Sequence, residues 1–171
     1  TISELARLVG DDKKTEVVME LTAQSNQIIF GVGKIQLISR ILEGNFPDID
    51  KIIPKDWKTQ ITFDRSELLK AVRAASIFAR ENNNVVKWTV DSGRLTISAK
   101  ASNLGENSSE LEVETEGENV EMAFNYKYLV DYLGSIDAEN VILRANDTLS
   151  PCLFVADNDE SYLHIIMPVR V

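Results

Sequence analysis

Apolar and polar positions alternate with period two in Ile61-Thr-Phe63, which predicts a strand beginning near Gln60. The period then lengthens to that of a helix. Asp64 or Ser66 caps it, it runs to about Arg80, and Asn82-Asn-Asn84 breaks it. Val85 to Val90 predicts a strand, Asp91-Ser-Gly93 a hairpin turn, and Leu95-Thr-Ile97-Ser-Ala99 a second strand. A polar loop is expected over Ser102 to Ser109, then a third strand over Leu111-Glu-Val113-Glu-Thr115, closed by Gly117.

The same order then repeats. Val120 to Phe124 alternates, Asn125 caps a helix carrying Tyr128, Leu129, Tyr132 and Leu133, and that helix ends near Gly134. Val141 to Leu143, Leu153 to Val155 and Tyr162 to Met167 follow as strands, with Asp157-Asn-Asp159 as a turn. The unit is strand, helix, strand, strand, strand, twice, and both helix entries match: Phe63-Asp64 and Phe124-Asn125. The start of the chain reads as a third copy without its opening strand. Thr1 or Ser3 caps a short helix, Ile2 to Val9, Gly10 to Lys14 loops, and Glu16 to Leu21, Ile28 to Val32 and Ile35 to Leu42 are strands. Gly44 to Pro54 then reads as a linker limited by Pro47 and Pro54. A unit short of one strand leaves a sheet edge unpaired. The chain is therefore expected to be a fragment that starts in mid-domain; the alternative is that the first helix packs on one compact domain.

A length of 171 residues allows one domain or one and a half, and 44% hydrophobic content supports a core. No apolar run nears the roughly 18 residues of a membrane span, and no signal peptide is visible. A single cysteine, Cys152, excludes an internal disulfide and a cysteine-based metal site, and a reducing cytoplasmic setting fits. Asn107-Ser-Ser and Asn146-Asp-Thr match the glycosylation pattern, but without secretion they read as chance. The net charge of -9 argues against a surface that grips nucleic acid, because phosphate neutralisation supplies most of that affinity. A DNA role would need local basic residues or a mechanism other than affinity.

On the helix from Arg65 to Arg80, Leu68, Leu69, Val72, Ala75 and Ala79 share one face. Lys70 and Arg73 project opposite, with Arg80 near the border. Ile77 and Phe78 fall away from the apolar face, where they form either a small satellite core or an interface. The terminal Ile165-Ile-Met-Pro-Val-Arg170 is apolar where termini are usually frayed and polar. Burial in the last strand accounts for Ile166 but not for Met167 onward, because Pro168 cannot continue a central ladder. An enzyme finds little support: His164 and Cys152 lack a recognisable catalytic neighbour, and no phosphate-cradling glycine motif occurs. Asp157-Asn-Asp159-Glu160 lacks the spacing of a calcium loop and reads as a solvated turn. No metal and no cofactor is expected.

The tandem units, the segment GNFPDIDKIIP from Gly44 to Pro54, the helix entry Phe124-Asn-Tyr-Lys-Tyr128-Leu and the terminal Met-Pro-x-Arg-x together resemble the bacterial DNA polymerase III β sliding clamp family. The resemblance implies an α+β DNA-clamp fold, with repeated strand-helix-three-strand units and helices on one face of antiparallel sheets. It implies that residues 1–50 are the second half of a middle domain, 51–56 a linker and 57–171 a complete third domain. It implies a non-catalytic processivity factor of bacterial DNA replication, a head-to-tail homodimeric ring that surrounds duplex DNA without reading sequence. Its partners would be a clamp loader, the replicative polymerase and other proteins that dock short linear motifs. The docking groove would draw on Pro47, Lys51, Ile52, Pro151, Ile165, Ile166, Met167, Pro168, Val169 and Arg170. DNA would face Arg7, Lys70, Arg73, Arg80 and Lys127, and Ile77 with Phe78 would meet the partner chain. The fragment itself would hold part of the groove, fail to close a ring, and be monomeric or paired through its exposed edge. The rival reading is a stand-alone cytosolic peptide-binding module with no DNA role.

Overall fold

Both Phe-Asp and Phe-Asn junctions are helix entries. In the computed structural model, strand β4 (Thr59–Asp64) turns directly into helix α2 (Arg65–Ala79). The Asp64 carboxylate accepts the Glu67 N–H at 2.8 Å and the Ser66 hydroxyl at 2.9 Å. Those partners hold the Asp64 carboxyl below the usual carboxylate range, the Glu67 N–H most strongly. Helix α3 (Tyr126–Ser135) starts the same way, with Asn125 Oδ1 accepting the Lys127 N–H at 3.0 Å. The structure describes residues 1–11, 14–22, 26–46 and 48–170, with Glu160 through its backbone alone.

The chain divides into two compact units, Thr1–Pro47 and Asp48–Val171. The first holds helix α1 (Ile2–Val9) and an antiparallel sheet in the order β1 (Val17–Thr22), β2 (Gln27–Val32), β3 (Ile35–Arg40). Its core is thin: among its described residues only Phe30 and Val32 are buried.

The second unit contains the two full repeats. The first continues from α2 into β5 (Val85–Asp91), β6 (Arg94–Ala101), β7 (Gly105–Glu112) and β8 (Glu114–Gly117). The second runs β9 (Val120–Asn125), α3, β10 (Asn140–Ala145), β11 (Cys152–Ala156) and β12 (Asp159–Ile166). Each opening strand joins the other repeat's sheet, and β4 also keeps β8 of its own repeat on its far side. The sheets have the orders β12-β11-β10-β4-β8 and β7-β6-β5-β9, so β4 pairs with the second repeat and β9 with the first. Each repeat thus completes the other's sheet. Arg65 reinforces the exchange across the helices: its Nε donates to the Ala138 carbonyl at 2.8 Å and its Nη1 to the Leu133 carbonyl at 3.0 Å, satisfying backbone acceptors at and beyond the last turn of α3.

One core results. Trp88 on β5 meets Phe63, Phe124 and Phe154 edge-on, with ring centroids 5.6, 5.2 and 6.3 Å away, so residues from both sheets share one aromatic cluster. From α2 the cluster receives Leu68, Val72, Ala75 and Ala79, and Leu69 packs at its margin.

Two expectations change. The polar segment Ser102 to Ser109 is mostly strand: β7 begins at Gly105 and pairs with β6 in the register Ala101↔Gly105 to Arg94↔Glu112. As an outer strand it has no need of an apolar alternation, and its charges discourage edge-to-edge pairing. The expected strand Leu111 to Thr115 is really two. Val113 donates its N–H to the Gly93 carbonyl at 2.9 Å, and there the chain leaves one sheet for the other. Gly117 permits the second pairing: its φ is +107°, and a Cβ there would lie 2.0 Å from the Lys58 carbonyl oxygen.

Candidate functional site

The last strand explains half of the apolar terminus. In β12, Ile166 lies opposite Cys152 and Ile165 opposite Leu153. Ile166 is buried and Ile165 half-buried. The ladder stops at Ile166, as a following proline requires. Pro168 is buried, and the Val169 N–H donates to the Ala123 carbonyl at 2.7 Å. Ala123 belongs to β9, the edge of the other sheet. The terminal residues therefore run from the outer strand of one sheet to the outer strand of the other. Met167, between the two anchors, stays 55% exposed.

Beside this crossing lies a cleft of about 250 Å³. Met122, Ala123, Leu149 and Val169 supply apolar lining, and Glu121, Thr148 and Arg170 supply polar groups. Such a mixture suits an apolar anchor held in register by a few polar contacts. Leu149 is held outward by a side-chain turn. The Asp147 carboxylate accepts the N–H groups of Leu149 and Ser150 at 2.9 and 2.8 Å and the Ser150 hydroxyl at 2.7 Å. The Ser150 hydroxyl, then the Leu149 N–H, keep the Asp147 carboxyl below its usual range. Glu121, Thr148 and Leu149 are not among the residues expected at the groove. The Asp-x-x-Ser pattern of a side-chain turn is the signal that points to this loop.

Of the expected groove residues, Val169 and Arg170 line the cleft, whereas Lys51, Ile52 and Pro151 do not. Lys51 sits at the end of a 3-10 turn (Ile49–Lys51), exposed, with its ammonium 3.0 Å from the Asp48 carboxylate. Ile52 is exposed beside it, and Pro151 is half-buried just before β11. Pro47 lies outside the described residues.

Lys70 and Arg73 are exposed on α2, Arg80 just past its end and Lys127 at the start of α3. Arg7 is exposed on α1 but is paired with Glu4 through two hydrogen bonds, which hold the Glu4 carboxyl low. Ile77 and Phe78 part company: Ile77 is 56% exposed, while Phe78 packs against the core.

Cys152 is fully buried with its Sγ 3.5 Å from the Met122 sulfur, and burial pushes its thiol up to about 12. It is thus a protonated core thiol at neutral pH rather than a nucleophile. His164 stacks on Tyr132 with centroids 4.7 Å apart and planes 9° from parallel, and burial pulls its pKa below the usual value.

Known proteins resemble this chain along its length. Residues 50–170 match the model of the DNA polymerase III beta subunit, C-terminal domain. The beta sliding clamp of Staphylococcus aureus is 30% identical over 99% of the chain. The chain spans 45% of that relative's length. Among solved structures, the DNA polymerase III subunit beta of Pseudomonas aeruginosa superposes with a TM-score of 0.81 at 29% identity, covering 99% of this chain and 46% of that one. The beta sliding clamp of C. crescentus gives 0.81 at 32% identity, covering 100% of this chain and 45% of that one. The fold is the α+β clamp fold, and the chain belongs to the DNA polymerase III beta subunit family.

Proposed function

We propose that these 171 residues are the C-terminal portion of a bacterial replication clamp, a non-catalytic processivity factor. In this reading residues 1–50 are the second half of a middle domain, 51–56 a linker and 57–171 the third domain. The longer protein encircles duplex DNA as a head-to-tail pair in the bacterial cytoplasm and is opened by a clamp loader. It tethers the polymerase and other partners through short linear motifs. The net charge of -9 fits such a topological link, which needs sliding rather than tight phosphate binding. The exposed Lys70, Arg73, Arg80 and Lys127 are the residues we assign to the DNA side, with Arg7 weakened by its Glu4 partner. They offer charge without a base-reading arrangement, so contacts are sequence-independent. Ile77 is assigned to the ring interface, where Phe78 contributes only from beneath.

The function assigned to this chain itself is peptide capture. The observation that carries it is the terminal crossing: after Ile166 the chain leaves the ladder, docks on Ala123 and lines an open cleft with Val169 and Arg170. Met167 adds an adaptable apolar surface. A linear motif would place an aliphatic or aromatic anchor against Leu149 and Val169, and Arg170 and Glu121 would orient its polar atoms. The test is an amide-shift titration with a short peptide carrying Gln-Leu and Leu-Phe anchors. Saturable shifts are expected at Ala123, Leu149 and Ile165 to Arg170, extending to Lys51 and Ile52 if the linker joins the groove. A folded protein with no saturable shift at the terminal residues would sink the proposal.

A further inference from the structure

The cleft beside the terminal crossing has fixed walls and a soft floor. On one wall the Ala123 carbonyl accepts the Val169 N–H at 2.7 Å, and on another the Asp147 carboxylate holds the Leu149 N–H at 2.9 Å. Among the described residues that line the cleft, Met122 alone also belongs to the aromatic core, at 2% exposure. It lies opposite Trp88 in the ladder of β5 and β9. The Cys152 thiol donates to its sulfur at 3.5 Å, a weak bond between two soft groups. The same thiol stands 3.7 Å from the Ser150 carbonyl, so it keeps an acceptor when the methionine sulfur moves away. Methionine is unbranched with three rotatable bonds, so it changes rotamer at small cost.

The size of the cleft gives that freedom a use. It holds about 250 Å³, below the roughly 300–1,000 Å³ of sites that bury most of a small ligand. Behind Met122 lie Cys152 and Trp88, both fully buried. A shift of the Met122 side chain therefore deepens the cleft towards sulfur and aromatic surface without unseating either wall. We propose that Met122 is the specificity-determining residue of the cleft, a movable floor that selects an aromatic anchor of a linear peptide over a short β-branched one. An aromatic ring reaches the two sulfurs and gains contacts that thioethers and thiols make well with ring edges. A valine is too short to displace the floor and gains neither. This inference rests on the peptide-capture reading given above.

The test uses the 171-residue chain with isotope-labelled methionine methyl groups and two peptides. One carries the Gln-Leu and Leu-Phe anchors, and the other has valine in place of the phenylalanine. The Met122 methyl resonance, assigned by its loss in Met122→Ile, is expected to shift saturably with the phenylalanine peptide and not with the valine peptide. The parent chain is expected to bind the phenylalanine peptide at least about tenfold more tightly than the valine peptide. Met122→Ile keeps the volume of the floor but stiffens it at χ1, and its amide spectrum should remain that of a folded protein. In this variant the preference for phenylalanine should fall below about threefold. An unchanged preference, or equal weakening of both peptides, overturns the inference and leaves peptide capture standing. So does a Met122 methyl that stays in place while the phenylalanine peptide saturates the parent chain, a result that needs no variant to fold. If neither peptide binds the parent chain, the peptide-capture reading fails and this inference falls with it.

Discussion

Replacing Gly117 by alanine sets one methyl group against the ladder that closes the five-stranded sheet. The added Cβ would stand 2.0 Å from the Lys58 carbonyl oxygen, where ordinary contact begins at 3.4 Å. Both partners are backbone, so no side chain can swing aside. The strands must separate by about 1.4 Å, more than a hydrogen bond tolerates. At this end of the ladder Thr59 pairs with Gly117 and Gln60 with Glu116, and the Thr59 hydroxyl donates to the Glu118 carbonyl at 3.0 Å. Losing two or three such bonds at ~1 kcal/mol each, with ~1 kcal/mol of strain at φ +107°, costs roughly 3–4 kcal/mol. For a unit of this size that lowers the melting temperature by roughly 10 °C. The matched control is Gly134→Ala. Gly134 lies inside α3, has ordinary helical geometry, and nothing lies within 4 Å of the added Cβ. The same change there is expected to stabilise by roughly 0.5–1 kcal/mol. Differential scanning calorimetry of both variants reads the opposite signs. A Gly117→Ala protein melting within ~2 °C of the parent would refute the claim that β8 is locked against β4.

Three further outcomes are expected. Arg65→Ala loses two charge-assisted bonds to the carbonyls around the end of α3 and should cost roughly 2–3 kcal/mol in urea unfolding. Arg65→Lys should recover less than half, because one ammonium cannot span both acceptors, and full recovery would count against the fork. His164 is the chain's one histidine, and its pKa is lowered by burial, so below about pH 6.5 the unfolded state takes up a proton that the folded state resists. Stability should therefore be flat between about pH 6.5 and 8 and fall as the pH drops below that range towards 5, and His164→Phe should abolish that slope; a slope unchanged in the variant would exclude His164 as its source. Trp88→Ala empties the aromatic cluster shared by both sheets and should cost ~3–5 kcal/mol, with loss of near-ultraviolet dichroism. Trp88→Phe should cost far less, since the indole N–H has no hydrogen-bond partner among the described residues.

Local chemistry was readable wherever a residue acts on its own neighbours. Asp64 and Asn125 start helices because a short polar side chain can cap only the N–H groups just ahead of it, and both do so. Pro168 ends the last ladder for want of an N–H, and that too was visible. The outer strand β7 was not, because an edge facing water carries no apolar alternation to read. Leu149 was hidden for a related reason: it belongs to a polar turn, and only the neighbouring Val169 makes it part of a cleft.

The sequence by itself determined the two matching strand-to-helix entries, the approximate helix boundaries, the buried face of α2 and the proline that stops the last ladder, all set by spacing within about ten residues. Tertiary structure alone decided that β4 and β9 change places, that Val113 hands the chain from one sheet to the other, and that the terminus lands on Ala123. An alternating strand specifies which face it buries but not which neighbour it pairs with, since any antiparallel edge offers the same N–H and C=O groups. That choice falls to the shared core around Trp88, where the exchanged arrangement brings Phe63 and Phe124 against the same ring.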